Sequence, residues 1–318
     1  MASASPADDP TRDSARRAGL VHLSIVYVVW GSTYLAIRLA VRPEGGFPPF
    51  ALGSLRLLLA GAILLGWAVL RRQRVGLTRG EAVTLAVAGV LMWPLANGLV
   101  NWAERRADSS YAALLVGALP IWTAAIESAL DRRRPTLRFA LSLGVGFGGL
   151  VLLTVPGLAH AEAADAAAVL ALLIAPIAWA FGSVLQTRRP VSVSPAVSAA
   201  YLHLFGACGF LVASLALGEG LPRPSAAAWG ALGYLVLAGS VVAFTSFVRV
   251  LRLLPTRVVM TYAYVNPVIA VVLGAILLKE RIPPIAIGGM ALVLLGVWGV
   301  LGDKLARDRA VAHGGGAE

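Results

Sequence analysis

Ten apolar runs, each long enough to cross a bilayer, follow one another through this chain with little between them. They occupy roughly residues 20–41, 48–70, 80–103, 108–130, 137–156, 166–187, 195–217, 226–248, 256–278 and 282–301. About 20 apolar residues in a helix cover the hydrocarbon layer. Only helices and closed barrels satisfy their own backbone there, and long runs without alternation are helical. The expectation is an all-α integral membrane fold of ten transmembrane helices. A chain that is 58% hydrophobic and only 14% charged excludes a large soluble enzyme.

The runs are written twice. The segment Asp108 to Glu127 carries Pro120 near its middle, and the segment Pro255 to Gly274 carries Pro267, 147 positions later. Gly31-Ser32 likewise matches Gly182-Ser183, 151 positions later. Five spans per copy is an odd number, so the second copy enters the membrane in the opposite sense, the construction of many secondary transporters. The expected parts are a disordered cytoplasmic tail over 1–19, a first repeat over 20–157, a periplasmic linker over 158–165, a second repeat over 166–302 and a cytoplasmic tail over 303–318.

Basic residues give the direction, because short cytoplasmic loops collect Lys and Arg. With the N-terminus inside, nineteen of the 27 fall in inner segments, among them Arg71, Arg72 and Arg74, Arg132 to Arg134, and Arg188 and Arg189. Six fall outside, and Arg38 and Arg56 lie within spans. Both termini are therefore expected in the cytoplasm. The net charge of +11 reflects this loop pattern and not nucleic-acid binding. The lone Cys208 excludes an intramolecular disulfide. His22, His160, His203 and His313 have no metal-ligand spacing, and no phosphate-binding loop ending in Gly-Lys-Ser or Gly-Lys-Thr occurs. No cofactor, metal or ATP is expected. Gly144, Gly146 and Gly149 match G-x-G-x-x-G, but inside a span, without the strand a dinucleotide site needs. Gly144 and Gly148 instead suggest a small-residue packing face.

Polar and aromatic residues recur at helical spacing. Trp93, Asn97, Asn101 and Glu104 follow at intervals of 4, 4 and 3, Trp30, Tyr34 and Arg38 at 4, and Trp179, Ser183 and Gln186 at 4 and 3. Such faces are costly against lipid and suit a bundle interior or water path, though Asn and Ser also join helices by hydrogen bonds. Tyr262 and Asn266 share a face before Pro267. The substrate-binding candidates are thus Trp30, Tyr34, Trp93, Asn97, Asn101, Trp179, Tyr262 and Asn266, an aromatic lining that suits zwitterionic, amphipathic or cationic cargo. Arg56 lies about 12 Å deep, eight residues past Pro48, and either holds a cargo carboxylate or ties helix ends together. Its repeat partner at 147 is His203. Glu104, Glu127 and His203 are candidates for coupling to protons, although Glu127 also has Arg132 and Arg134 within reach. Pro120 and Pro267 are candidate hinges, each removing a helix hydrogen bond near the midplane.

The runs Trp30 to Arg38, Arg56 to Gly61, Asn97-Gly98 with Ala103-Glu104, Trp179 to Ser183 and Tyr262 to Pro267 resemble the drug/metabolite transporter superfamily, specifically its EamA-domain exporters. The resemblance implies a ten-helix bundle with a central cavity in the bacterial inner membrane, exporting amino acids, related metabolites or drugs. Relatives commonly carry a small or apolar residue where Glu127 stands, so its role is not carried over. The expected function is secondary active export by alternating access, with proton antiport as its energy source and a small molecule as its only ligand besides lipid. A facilitative uniporter and a membrane enzyme acting on lipid-linked groups are the alternatives. The dispersed carboxylates argue against the enzyme. Cargo, coupling ion and oligomeric state are left open by the residues.

Overall fold

The computed structural model describes residues 10–42, 44–103, 109–158, 165–278 and 282–314. Ten helices there are long and apolar enough to cross a membrane, and no strand occurs among the described residues. They are α1 (Pro10–Ala40), α2 (Pro49–Leu70), α3 (Arg79–Ala103), α4 (Ser109–Val116 and Leu119–Asp131), α5 (Leu137–Leu158), α6 (Ala166–Arg188), α7 (Pro195–Ala216), α8 (Ala226–Leu253), α9 (Thr256–Val259 and Tyr262–Leu278) and α10 (Pro284–Gly314). The helices α1 and α10 reach into both segments expected as tails, starting at Pro10 and running on to Gly314.

The helix starts carry their own caps. Thr78 and Glu81 form a capping box on α3, and the hydroxyls of Ser194 and Ser225 accept from Val197 N and Ala228 N. Proline opens α2 and α7, where its missing N–H costs nothing.

The repeat is visible in α2 and α7. Both have 22 residues, start at Pro49 and Pro195, and end at residues in the left-handed region, Arg72 (φ 51°) and Gly218 (φ 63°). The next residue then reaches the start of the other helix. Gln73 Oε1 accepts from the Ser194 hydroxyl at 2.6 Å, while the Glu219 carboxylate accepts from Phe50 N and Ala51 N at 3.1 and 2.8 Å. This register is 146 positions, not 147. It corrects one pairing: Arg56 corresponds to Leu202, and His203 to Leu57.

The two repeats interleave. The pairs α2 with α7 and α5 with α10 pack along their lengths, α1 packs on α8 and α9, and α6 packs on α3 and α4. Each cross-repeat contact of α1 is thus matched by one of α6, as a two-fold relation between inverted copies requires. Helix α5 meets α10 through Gly146 and Gly149 against Gly289 and Gly296: a Cβ on Gly149 would sit 2.5 Å from Val293 N and 2.7 Å from Gly289 O. The expected face of Gly144 and Gly148 is corrected, since nothing lies within 4 Å of a Cβ on either. The 3.6-residue period placed two glycines on one face, but it did not say which face meets a helix.

Irregular backbone occurs at matching places. α3 contains a π segment, Leu91–Asn97, and α8 contains another, Leu235–Phe244. α4 breaks at Gly117–Ala118 and α9 at Met260–Thr261. Pro120 is the second residue of the restarted α4, where a proline is tolerated without loss. Pro267 lies inside the second part of α9, six residues past the break. The interruption of α9 therefore precedes Pro267, because the turn is made by Met260 and Thr261, with Ala263 N donating to Met260 O and Tyr264 N to Thr261 O.

Gly149→Ala is expected to force α5 and α10 apart and lower stability by about 1–3 kcal/mol, whereas Gly148→Ala stays within about 0.5 kcal/mol. Thermal unfolding of the two variants in detergent compares them, and equal midpoints would show that the glycine contact does not matter.

Candidate functional site

Seven helices bring side chains to one cluster in the middle of the bundle. Trp30 of α1 packs edge-on against Tyr262 of α9 at 4.8 Å and Trp179 of α6 at 5.8 Å between ring centroids. Trp179 meets Trp93 of α3 at 5.7 Å, and Trp93 meets His203 of α7 at 5.2 Å. Phe244 and Phe247 of α8 close the ring, with centroids 5.0 Å from Trp93 and 5.2 Å from Trp30 respectively. Arg56 of α2 completes it: its Cζ lies 5.7 Å from the centre of the Trp93 ring, and its Nε donates to Ser240 Oγ of α8 at 2.8 Å. Close approach permits this, since a Cβ on Gly206 of α7 would lie 2.7 Å from Trp93 Cδ1.

All of the aromatic side chains and His203 are buried. Trp30 Nε1 donates to Gly239 O at 3.0 Å, a carbonyl of the α8 π segment. Trp179 has no such partner, nor has Trp93: both indole nitrogens are buried without a hydrogen bond. His203 uses Nδ1 on Ala199 O at 2.7 Å and leaves Nε2 unpartnered. Because a carbonyl only accepts, Nδ1 carries the proton, and Nε2 of the neutral ring is a bare acceptor. Unsatisfied buried groups cost about 1–3 kcal/mol each. Arg56 has no carboxylate within ion-pair distance among the described residues, so its charge is answered by a hydroxyl and an indole face.

The remaining candidates divide. Asn97 is half-buried and donates to Met92 O at 3.2 Å, within its own π segment, and Asn101 is half-buried one turn on. The wider turn at Leu91–Asn97 breaks the register on which the Trp93 stripe was drawn. Asn266 is a helix tie: with its amide nitrogen turned toward them, it donates to Tyr262 O at 3.1 Å and Tyr27 O at 3.3 Å, joining α9 to α1. Ser183 bonds back to Trp179 O at 2.8 Å, and Gln186 reaches Met92 Sδ at 3.1 Å. Glu127 lies away from the cluster near the end of α4, half-buried, hydrogen-bonded to Thr256 and in the field of Arg257 and Arg188. Its neighbours are thus on α9 and α6, not the Arg132 and Arg134 that follow it in sequence. One turn on, Asp131 pairs with Arg188 at 2.6 Å. Glu104 lies outside the described residues, as do the side chains of Tyr34 and Arg38.

Phe244, Phe247 and Ser240 were not anticipated. They recur at intervals of 4 and 3, the same signal as the other stripes, in a run so apolar that the phenylalanines read as lipid-facing.

Ten helices of spanning length in two repeats, closing on a central cluster of buried side chains, define a multi-pass membrane protein of the kind transporters are built on. A model of the EamA-like transporter family matches residues 17–155 and again 166–302. The chain belongs to that family. It is 32% identical over 254 residues to the uncharacterized inner membrane transporter YedA of Escherichia coli (strain K12), covering 79% of this chain and 80% of that one. It is 26% identical over 298 residues to a probable terminal-alkyne amino-acid exporter of Streptantibioticus cattleyicolor, covering 92% and 96%. A solved crystal structure shares the fold with a TM-score of 0.75 at 20% identity, over 93% of this chain and 98% of its own.

Replacing Asn266 by Leu removes its tie from α9 to α1, together with its bond to Tyr262 O within α9, and is expected to lower stability by about 1–2 kcal/mol. Thermal unfolding in detergent tests this, and an unchanged midpoint would remove Asn266 from the frame.

Proposed function

We propose that this protein is a secondary exporter of amino acids or closely related small metabolites across the bacterial inner membrane, with both termini in the cytoplasm. The observation that carries the reading is the central cluster of Trp30, Trp93, Trp179, Tyr262, His203 and Arg56, fed by helices of both repeats and bordered by the interrupted helices α3, α4, α8 and α9. Interrupted helices at an inverted-repeat interface are where secondary transporters bind cargo. The relatives named as an inner membrane transporter and an amino-acid exporter support the compartment and the cargo class. A family of transporters also favours a carrier over a membrane enzyme.

Alternating access follows from the interleaving. The moving bodies are α3, α4 and α6 on one side and α8, α9 and α1 on the other, each drawn from both repeats. Rocking one against the other about α2–α7 and α5–α10 opens the cluster to either face in turn. Pro120, beside the break in α4, and Met260–Thr261, at the break in α9, are where each body bends.

Proton exchange is the coupling this arrangement supports, with Glu127 as the titrating group. It joins α4 to Thr256 on α9 and faces Arg257 and Arg188, with Asp131 beside it. Protonation removes its charge and so loosens a tie between the two bodies; deprotonation restores it. His203 is committed at Nδ1 and sits within the cluster.

Proteoliposomes loaded with single amino acids test the reading by counterflow and by efflux down an imposed pH gradient. Saturable exchange that the gradient accelerates is expected, with Glu127→Gln keeping exchange and losing the acceleration. Exchange that ignores the gradient in the wild type identifies a uniporter, and no exchange of any amino acid overturns the amino-acid reading.

A further inference from the structure

We infer that the central cluster holds a zwitterion subsite, in which Arg56, Trp93 and Trp179 take the carboxylate of the cargo and His203 Nε2 takes its ammonium group. The inference rests on the exporter reading and specifies its site. Three observations carry it, drawn from four helices.

The first is the guanidinium. A buried cation in the middle of a bundle normally has a carboxylate beside it, and among the described residues Arg56 has only Ser240 Oγ and the Trp93 face. One donor of its planar fork is used at Nε, and the two terminal nitrogens have the geometry that a carboxylate fits bidentately. The second is the pair of indole N–H groups of Trp93 and Trp179, both buried and without an acceptor. Trp93 touches Arg56 and Trp179, so the three sets of donors form one group. Donors alone call for an acceptor-only ligand group. A single negative charge matches the single cation, whereas a doubly charged phosphate would leave one charge unanswered among aromatic rings.

The third observation has the opposite sign. His203 stacks on Trp93 at 5.2 Å and is fixed by its Nδ1–H on Ala199 O, so its free Nε2 accepts and does not donate. An acceptor beside a set of donors describes the two ends of an amino acid. The aromatic shell of Trp30, Phe244, Phe247 and Tyr262 is left for an apolar side chain. A cargo with an ammonium group but no carboxylate meets an uncompensated guanidinium and is rejected. Cationic cargo, which an aromatic lining by itself would favour, is therefore excluded by Arg56.

The test uses the full chain in lipid nanodiscs and three probes of one shape: L-leucine, L-leucinamide without the carboxylate, and 4-methylpentanoate without the ammonium group. Equilibrium dialysis of radiolabelled leucine, with the others as competitors, is expected to show leucine binding at least tenfold more tightly than either. Arg56→Gln is expected to lose that preference over leucinamide, and His203→Phe, which keeps the ring contacts, to lose the preference over 4-methylpentanoate. Trp179→Phe, which removes the indole N–H together with part of the ring, is expected to weaken leucine and 4-methylpentanoate several-fold more than leucinamide; it keeps the test available if Arg56→Gln does not fold. Leucinamide binding as well as leucine, absence of saturable leucine binding, or unchanged preferences in His203→Phe each overturn the subsite. Leucine bound with these preferences but not carried by proteoliposomes sinks the exporter reading and leaves the subsite. Leucine carried with the same KM in Arg56→Gln, His203→Phe and wild type does the reverse.

Discussion

Hydrocarbon offers the backbone nothing to bond to, and that constraint decides where this chain is allowed to be irregular. Among the described residues, the π segments inside the spans lie where other helices pack against them. The π segment of α3 is packed by α6 and α7, and that of α8 by α1 and α2. Departures from regularity then become binding groups. Gly239 O receives the Trp30 indole, and Met92 O receives the Asn97 amide. The central cluster takes one such carbonyl, Gly239 O, as the acceptor for Trp30.

The architecture was legible because it follows from length and hydropathy, which the bilayer reads directly. The span limits match the helices to within a few residues, apart from the start of α1 and the ends of α8 and α10, where the helices continue past the apolar limit. Trp30, Trp93, Trp179 and Tyr262 were legible because an aromatic stripe at helical spacing has few destinations in a bundle. Other features were not, for separable reasons. A π turn has no residue signature of its own, so the register beyond Trp93 was drawn too regularly. Proline at 267 marks a lost N–H but not the place where the chain bends. Glycine spacing in α5 defines faces without saying which one meets α10. An offset counted between prolines missed by one, and so paired Arg56 with His203 when the caps of α2 and α7 pair Arg56 with Leu202. That Arg56 and His203 nevertheless meet at Trp93 depends on tertiary packing alone.

The two copies share a frame and differ in chemistry. Trp30 and Trp179 stand on the corresponding helices α1 and α6, yet one indole is satisfied by a carbonyl and the other is not. The clasps between α2 and α7 differ in the same way: a carboxylate caps two amides at one face, and a neutral amide meets a hydroxyl at the other. A symmetric molecule would present the same surface to a ligand from both sides. The clasps lie at the helix ends, whereas the unequal indoles lie in the central cluster, where the molecule offers an unsymmetric surface.

The glycine contact between α5 and α10 has a consequence for how the protein is made. Neither repeat encloses a core of its own, since α2 waits for α7, and the flattened side of α5 waits for the last helix of the chain. During synthesis the first five helices enter the bilayer with these faces turned to lipid; the face of α2 is covered once α7 follows, and that of α5 only once the tenth helix does. The same five helices read from a separate, shorter gene would have only another copy of themselves, inserted upside down, to close against. A fold of this kind is an antiparallel dimer whose two subunits have been joined end to end, and the joining removes the need to find a partner in the membrane.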